Sequence, residues 1–185
     1  MSNNKLSILV VKAHPHDFTH CAGTLGIHSN KGDRITLVVV TGGKKAHNEK
    51  LATELRKPKS EQDQNVINES PEKYADQKAQ ELRQAAALFG ISDVRILDGD
   101  EPFRVDQNPK IINEIAEIIS EVRPQVLITQ SPYINDSGPH GLIQPYVNNS
   151  HSETAYAVER AQSLALNPEH GSQIRPHKIA ATFYP

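Results

Sequence analysis

The chain has one cysteine, Cys21, among 185 residues. An internal disulfide is thereby excluded, and so is a zinc site built on thiolates, which needs several. Cys21 itself reads as a small buried apolar residue. Tryptophan is missing and aromatics make up 5% of the chain, which speaks against a base-stacking surface. Neither sign of charge is in excess: 20 Lys and Arg stand against 22 Asp and Glu, for a formal net charge of −2. That balance offers no electrostatic footprint for nucleic acid or an anionic membrane. No apolar run approaches the roughly 20 residues of a membrane span. The opening "MSNNKLSILVV" carries one lysine and a short apolar stretch, unlike a secretory signal. A reducing, cytoplasmic setting is the expectation, and the length suits one domain with a core of its own.

What is present is an alternation of short apolar runs and amphipathic stretches. Segments 6–12 ("LSILVVK") and 33–41 ("DRITLVVVT") are β-branched and apolar on both faces, as buried parallel strands are. Between them 22–31 reads as a helix closed by Gly32. Residues 44–75 are polar and nearly free of large apolar side chains, so a solvated helix, a mobile lid, a partner surface and disorder all remain open there. Helical spacing returns at 76–89, stopped by Gly90, and at 108–122, with Pro109 near its first turn. Strands are expected at 93–97, 125–130 and 178–184, a helix at 151–166, and a long Gly/Pro/Asn loop at 131–150. The pattern predicts an α/β fold, Rossmann-like, with a mainly parallel sheet and helices on both faces.

In such sheets ligands bind outside the carboxyl ends of the strands, near the switch point. The loops at 13–21 and 131–150 occupy that edge, and histidine, aspartate and asparagine gather in both. In "AHPHDFTHCAGT", residues 13–24, His14 and Asp17 can both be aimed inward by a loop leaving a strand. A distant histidine, His151 or His140, would complete a set of two nitrogens and one carboxylate, a composition typical of hydrolytic zinc sites. Spacing alone leaves this reading level with a plainer one, a polar loop after a buried strand. His20, His28, His47, His170 and His177 read as surface or structural residues.

The quoted stretch resembles the signature of the PIG-L/LmbE-like N-deacetylases, in which an Ala-His-Pro-Asp-Asp type motif follows the first strand and a Gly-Thr opens the next helix. "ELRQAAALFGISDVRIL", "EVRPQVLIT" and "NNSHSETAYAVERA" are similar to further family segments, so the likeness spans most of 6–184 as a single domain over 1–185. The resemblance implies a Rossmann-like zinc-dependent amidase that removes acetyl groups from amino sugars. It implies His14, Asp17 and His151 as metal ligands. Position 16 departs from the family, which usually has an aspartate there as general base; here His16 takes that place. Imidazole, with an unperturbed pKa of about 6.5, can do this work, or can bind the metal instead. His140 is expected to stabilise the oxyanion. Backbone N–H groups at Gly23 and Thr24 are expected to bind a polar substrate part, with tight helix–strand packing as their alternative. Asn135 and Asp136 are expected to contact sugar hydroxyls or to shape a turn. The loop at 131–150 is longer than the family's compact Pro-Asp-His. Many relatives continue past "TFYP", and that tail is expected to supply part of their pocket wall.

The predicted chemistry is attack on the acetyl carbonyl by a water that a bound Zn²⁺, or another divalent ion, acidifies. Two rivals stand beside it: another metal-dependent amidase on the same scaffold, and a metal- or sugar-binding relative that lost its base. The expected partner is a small N-acetylated molecule, with segment 44–75 available for contact in a homo-oligomer. No phosphate-binding glycine pattern follows the first strand, which argues against nucleotide binding.

Overall fold

The computed structural model describes residues 5–44, 48–135, 143–145 and 149–185. Its centre is β1, Ser7–Lys12, every residue of which is buried. A strand apolar on both faces needs cover on both, and β1 obtains it by pairing parallel with β2 (Arg34–Val39) on one side and β4 (Val126–Ile128) on the other. The sheet continues through β3 (Asp93–Ile96) beyond β2 and β7 (Ala181–Phe183) beyond β4, all parallel, in the order β3-β2-β1-β4-β7.

Alternation along β1 divides the core in two. Leu9 and Val11 face a layer built by α5 (Pro109–Val122) and α6 (Ser150–Leu166), with Ile115, Ile119, Val158 and Ala161 packed against them. Ile8 and Val10 face the opposite layer, built by α1 (Ala22–Asn30) and α4 (Pro71–Leu88), where Leu25, Leu82 and Ala86 pack. The chain runs outward from β1 to β3, then returns across the sheet to β4. The order therefore reverses between β1 and β4, and the crevice of the fold opens at their carboxyl ends.

The expected α/β architecture is the one observed, with differences of detail. The polar segment 44–75 carries helix α2 (Glu49–Arg56), the short α3 (Gln64–Ile67) and the start of α4. α4 begins earlier than apolar spacing predicts because Ser70 accepts a hydrogen bond from the Lys73 N–H and Pro71 occupies the first turn, where a missing N–H costs nothing. The stretch 131–150, expected as loop throughout, contains a two-stranded antiparallel ribbon of β5 (Tyr133–Asn135) and β6 (Ile143–Pro145). Such short strands carry too few residues for a periodic signal. The last strand is shorter than its apolar run. No helix among the described residues is long and apolar enough to cross a membrane.

Candidate metal centre

β1 delivers the first candidate ligand, His14. Ala13 extends the ladder by accepting the Thr41 N–H at 3.1 Å. His14 then precedes Pro15, whose ring disfavours the helical region for its neighbour. His14 is accordingly extended (φ −129°, ψ 160°), and a 3-10 turn over Pro15–His20 follows at once. The turn closes on itself: the Asp17 N–H donates to the His14 carbonyl at 3.1 Å, and the His14 N–H donates to Asp17 Oδ2 at 2.9 Å. This is how one short loop presents His14, His16 and Asp17 together.

The fourth member comes from α6. Asn149 caps that helix, its Oδ1 accepting the N–H groups of His151 and Ser152 at 2.9 and 3.0 Å. Ser150 Oγ accepts the Phe103 N–H at 3.1 Å, which fastens the start of α6 to the chain after β3. His151 thus stands in the first turn of α6, facing the turn after β1.

Donor atoms of His14, His16, Asp17 and His151 all lie within 4.8 Å of one another. Asp17 is the hub and is fully buried. His16 Nε2 is 3.1 Å from its Oδ1, while His151 Nε2 and His14 Nδ1 are 3.4 and 3.5 Å from its Oδ2. The edge of a tetrahedron of donors about 2.0–2.1 Å from a zinc ion is about 3.4 Å, so these separations suit one small cation. Burial alone would raise the Asp17 carboxyl, but the imidazoles of His14, His151 and His16 outweigh it and hold the group far below the usual carboxylate range. Asp17 Oδ1 and His151 Nε2 are buried and make no hydrogen bond of accepted geometry among the described residues. Buried polar atoms left so are costly unless a ligand satisfies them. The residues present fit a metal ion.

Three residues that the sequence reading passed over surround this set. The Gln130 amide donates to Asp17 Oδ2 at 2.8 Å. Glu101 Oε1 lies 3.6 Å from His14 Nε2 and accepts the Thr41 hydroxyl. Lys12 is fully buried at the end of β1; burial lowers its amine from the ordinary value, while the nearby Asp17 carboxylate acts to raise it. Gln130 and Glu101 follow β4 and β3 at the carboxyl edge, so the rule that located the ligand loops also pointed to them.

Of the other expected site residues, Gly23 and Thr24 are exposed on the first turn of α1 and are not in the cluster. Thr24 lines an apolar groove with Cys21, Ile128 and Phe183. A Cβ at Gly23 would meet nothing within 4 Å, so tight packing does not explain this glycine; Gly26, against Phe89, has that role. Asn135 lies in β5. Asp136 and His140 lie outside the described residues, as does His47.

The chain is an α/β protein with a parallel sheet and, at its switch point, a histidine–aspartate cluster that could hold a metal ion. The family model described as "PIG-L: GlcNAc-PI de-N-acetylase" matches residues 9–161, and the chain belongs to that family. A "1D-myo-inositol 2-acetamido-2-deoxy-alpha-D-glucopyranoside deacetylase" of Thermomonospora curvata is 30% identical over 92% of this chain and 57% of its own length. A deacetylase of the same description from Catenulispora acidiphila is 27% identical over 96% of this chain and 56% of its own. The chain thus spans little more than half the length of the curated relatives it matches. Among solved structures, N,N'-diacetylchitobiose deacetylase from Pyrococcus horikoshii superposes with a TM-score of 0.71 at 15% identity, over 95% of this chain and 58% of that one. GalB, a 4-carboxy-2-hydroxymuconate hydratase from Pseudomonas putida, gives 0.71 at 22% identity, over 96% and 64%. At these identities the two structures share the fold with this chain.

Proposed function

We propose that the chain is a divalent-metal-dependent hydrolase that removes an acetyl group from an N-acetylated amino sugar or a related small molecule. The observation that carries the proposal is the convergence of His14, Asp17, His151 and His16 on one point at the switch edge of a PIG-L family sheet. The names of the curated relatives support a glucosamine-type N-acetyl substrate. Imidazole with carboxylate supports Zn²⁺ as the ion. A contact between copies through the polar segment 44–75 and a cytoplasmic setting complete the reading.

His14, Asp17 and His151 would hold the ion. When bound, it supplies an acidified water and polarisation of the acetyl carbonyl. Asp17 keeps its orientation because Gln130 and the His14 N–H both bond Oδ2. His16 takes the proton of the attacking water and passes it to the departing nitrogen, so that an amine and acetate leave. The proposal assigns the oxyanion to His140, the sugar hydroxyls to Asn135 and Asp136, and a polar part of the substrate to the N–H groups of Gly23 and Thr24. His16, standing where the family has an acidic base, favours one other reading, a metal-binding relative without turnover.

The test pairs metal content by elemental analysis with acetate release from N-acetylglucosaminyl-inositol, for the wild type and His14→Ala. About one metal per chain and acetate release, both lost in the variant, is the expected result. Metal without release supports the binding relative. No metal in either protein, after zinc is supplied and excess removed, overturns the proposal.

A further inference from the structure

We infer that His16 is a fourth ligand to the metal, so that the resting centre is held by three imidazoles and one carboxylate. This rests on the metal-site reading above and goes beyond it, because the base role alone requires no bond from His16 to the ion.

Three observations carry it. First, His16 Nε2 makes the shortest of the three imidazole approaches to Asp17, 3.1 Å, and makes it to Oδ1. Oδ2 is already bonded by Gln130 and the His14 N–H, while Oδ1 makes no hydrogen bond of accepted geometry among the described residues. Secondly, His16 offers its donor atom together with those of His14, Asp17 and His151, all within 4.8 Å of one another, as ligands of one small cation are. Thirdly, the backbone at His16 is fixed. Pro15 opens the turn, and the His16 carbonyl accepts the Thr19 hydroxyl at 2.9 Å. The His16 ring lies parallel to that of His14, 6° between planes and 5.4 Å between centroids, so both rings address Asp17 from one turn.

The consequence is a site that guards its own metal. Four protein ligands would fill a four-coordinate site and hold off water until one of them lets go. Before His16 can accept a proton it must let go of the ion. It is placed to do so: its side chain is 43% exposed, against 8% for His14. Ligand at rest and proton acceptor once released are then successive states of one imidazole.

The experiment uses the full chain stripped of metal. Zn²⁺ affinity is measured by competition with a chromophoric chelator, and the visible spectrum of the Co²⁺-loaded protein is recorded. Wild type, His16→Ala and the similarly sized His16→Gln are compared, with circular dichroism to confirm folding. The expected result is a loss of Zn²⁺ affinity of about ten-fold or more in both variants, on the scale at which even outer contacts of metal sites act. The Co²⁺ spectrum should change with it, and free imidazole added to Co²⁺-loaded His16→Ala should restore it. Equal affinity and equal spectra in wild type and variants overturn this inference while leaving the hydrolase reading intact. Failure of the wild type to bind either ion overturns both.

Discussion

Gln130 donates its side-chain amide to Asp17 Oδ2 at 2.8 Å, joining the end of β4 to the ligand turn after β1 across 113 positions of sequence. Partners that orient a ligand are worth nearly as much to a metal site as the ligands themselves. Replacing Gln130 with Leu keeps the bulk and removes the donor. Metal affinity should fall about 10- to 100-fold, read by chelator competition, with the helical signal unchanged. An unaltered affinity would show that the His14 N–H alone orients the carboxylate.

The two glycines of α1 should respond in opposite directions. A Cβ at Gly23 meets open space, so Gly23→Ala should stabilise by about 0.4–1 kcal/mol by reducing the freedom of the unfolded chain. A Cβ at Gly26 would come within 2.8 Å of Phe89 Cδ1, and that ring packs edge-to-face on Phe18, 5.7 Å between centroids. Overpacking of about 1–3 kcal/mol should then exceed the helix-propensity gain of about 1 kcal/mol. Thermal melts of the two variants, one above and one below the wild type, check both signs.

At the opposite end of the sheet, Arg95 bonds Asp93 through Nε and Nη2 at 3.0 Å and Glu121 through Nη1 and Nη2 at 2.6 and 2.8 Å. The guanidinium holds both carboxyls below their ordinary values. A carboxyl lowered in the folded state stabilises above its unfolded pKa, about 3.9 for Asp and 4.3 for Glu, and loses that contribution as pH falls through the folded value. Arg95→Met should therefore cost most near neutral pH, about 1 kcal/mol for such a partly exposed network. The gap between variant and wild type in urea denaturation should close as the pH drops below about 4. A gap constant from pH 7 to pH 3 would place the loss in packing rather than charge.

The apolar strands were plain in sequence because a parallel strand buried on both faces must be apolar throughout, and β1 and β2 are. His14 and Asp17 were legible because Pro15 forces an extended residue and then a tight turn just where the strand ends. His151 needed the resemblance, since nothing local distinguishes it from the other histidines. Gln130 and Glu101 escaped because their roles lie in what they touch across the sheet edge, which spacing does not encode. The segment 44–75 escaped because its helices bury little, chiefly Glu54, Val66, Tyr74 and Ala75, so no apolar stripe marks them.

The candidate ligands come from both ends of the folding problem. Residues 14–17 leave the first strand, and His151 opens the last helix, so β2, β3 and β4 must all be in place before the four side chains meet. An ion bound there closes a loop that contains most of the sheet, and its binding free energy becomes folding free energy. At a free concentration one hundred times its dissociation constant it would add about 2.7 kcal/mol, a sizeable share of what holds a small domain together. Metal supply would then govern how long the protein survives as well as how fast it works.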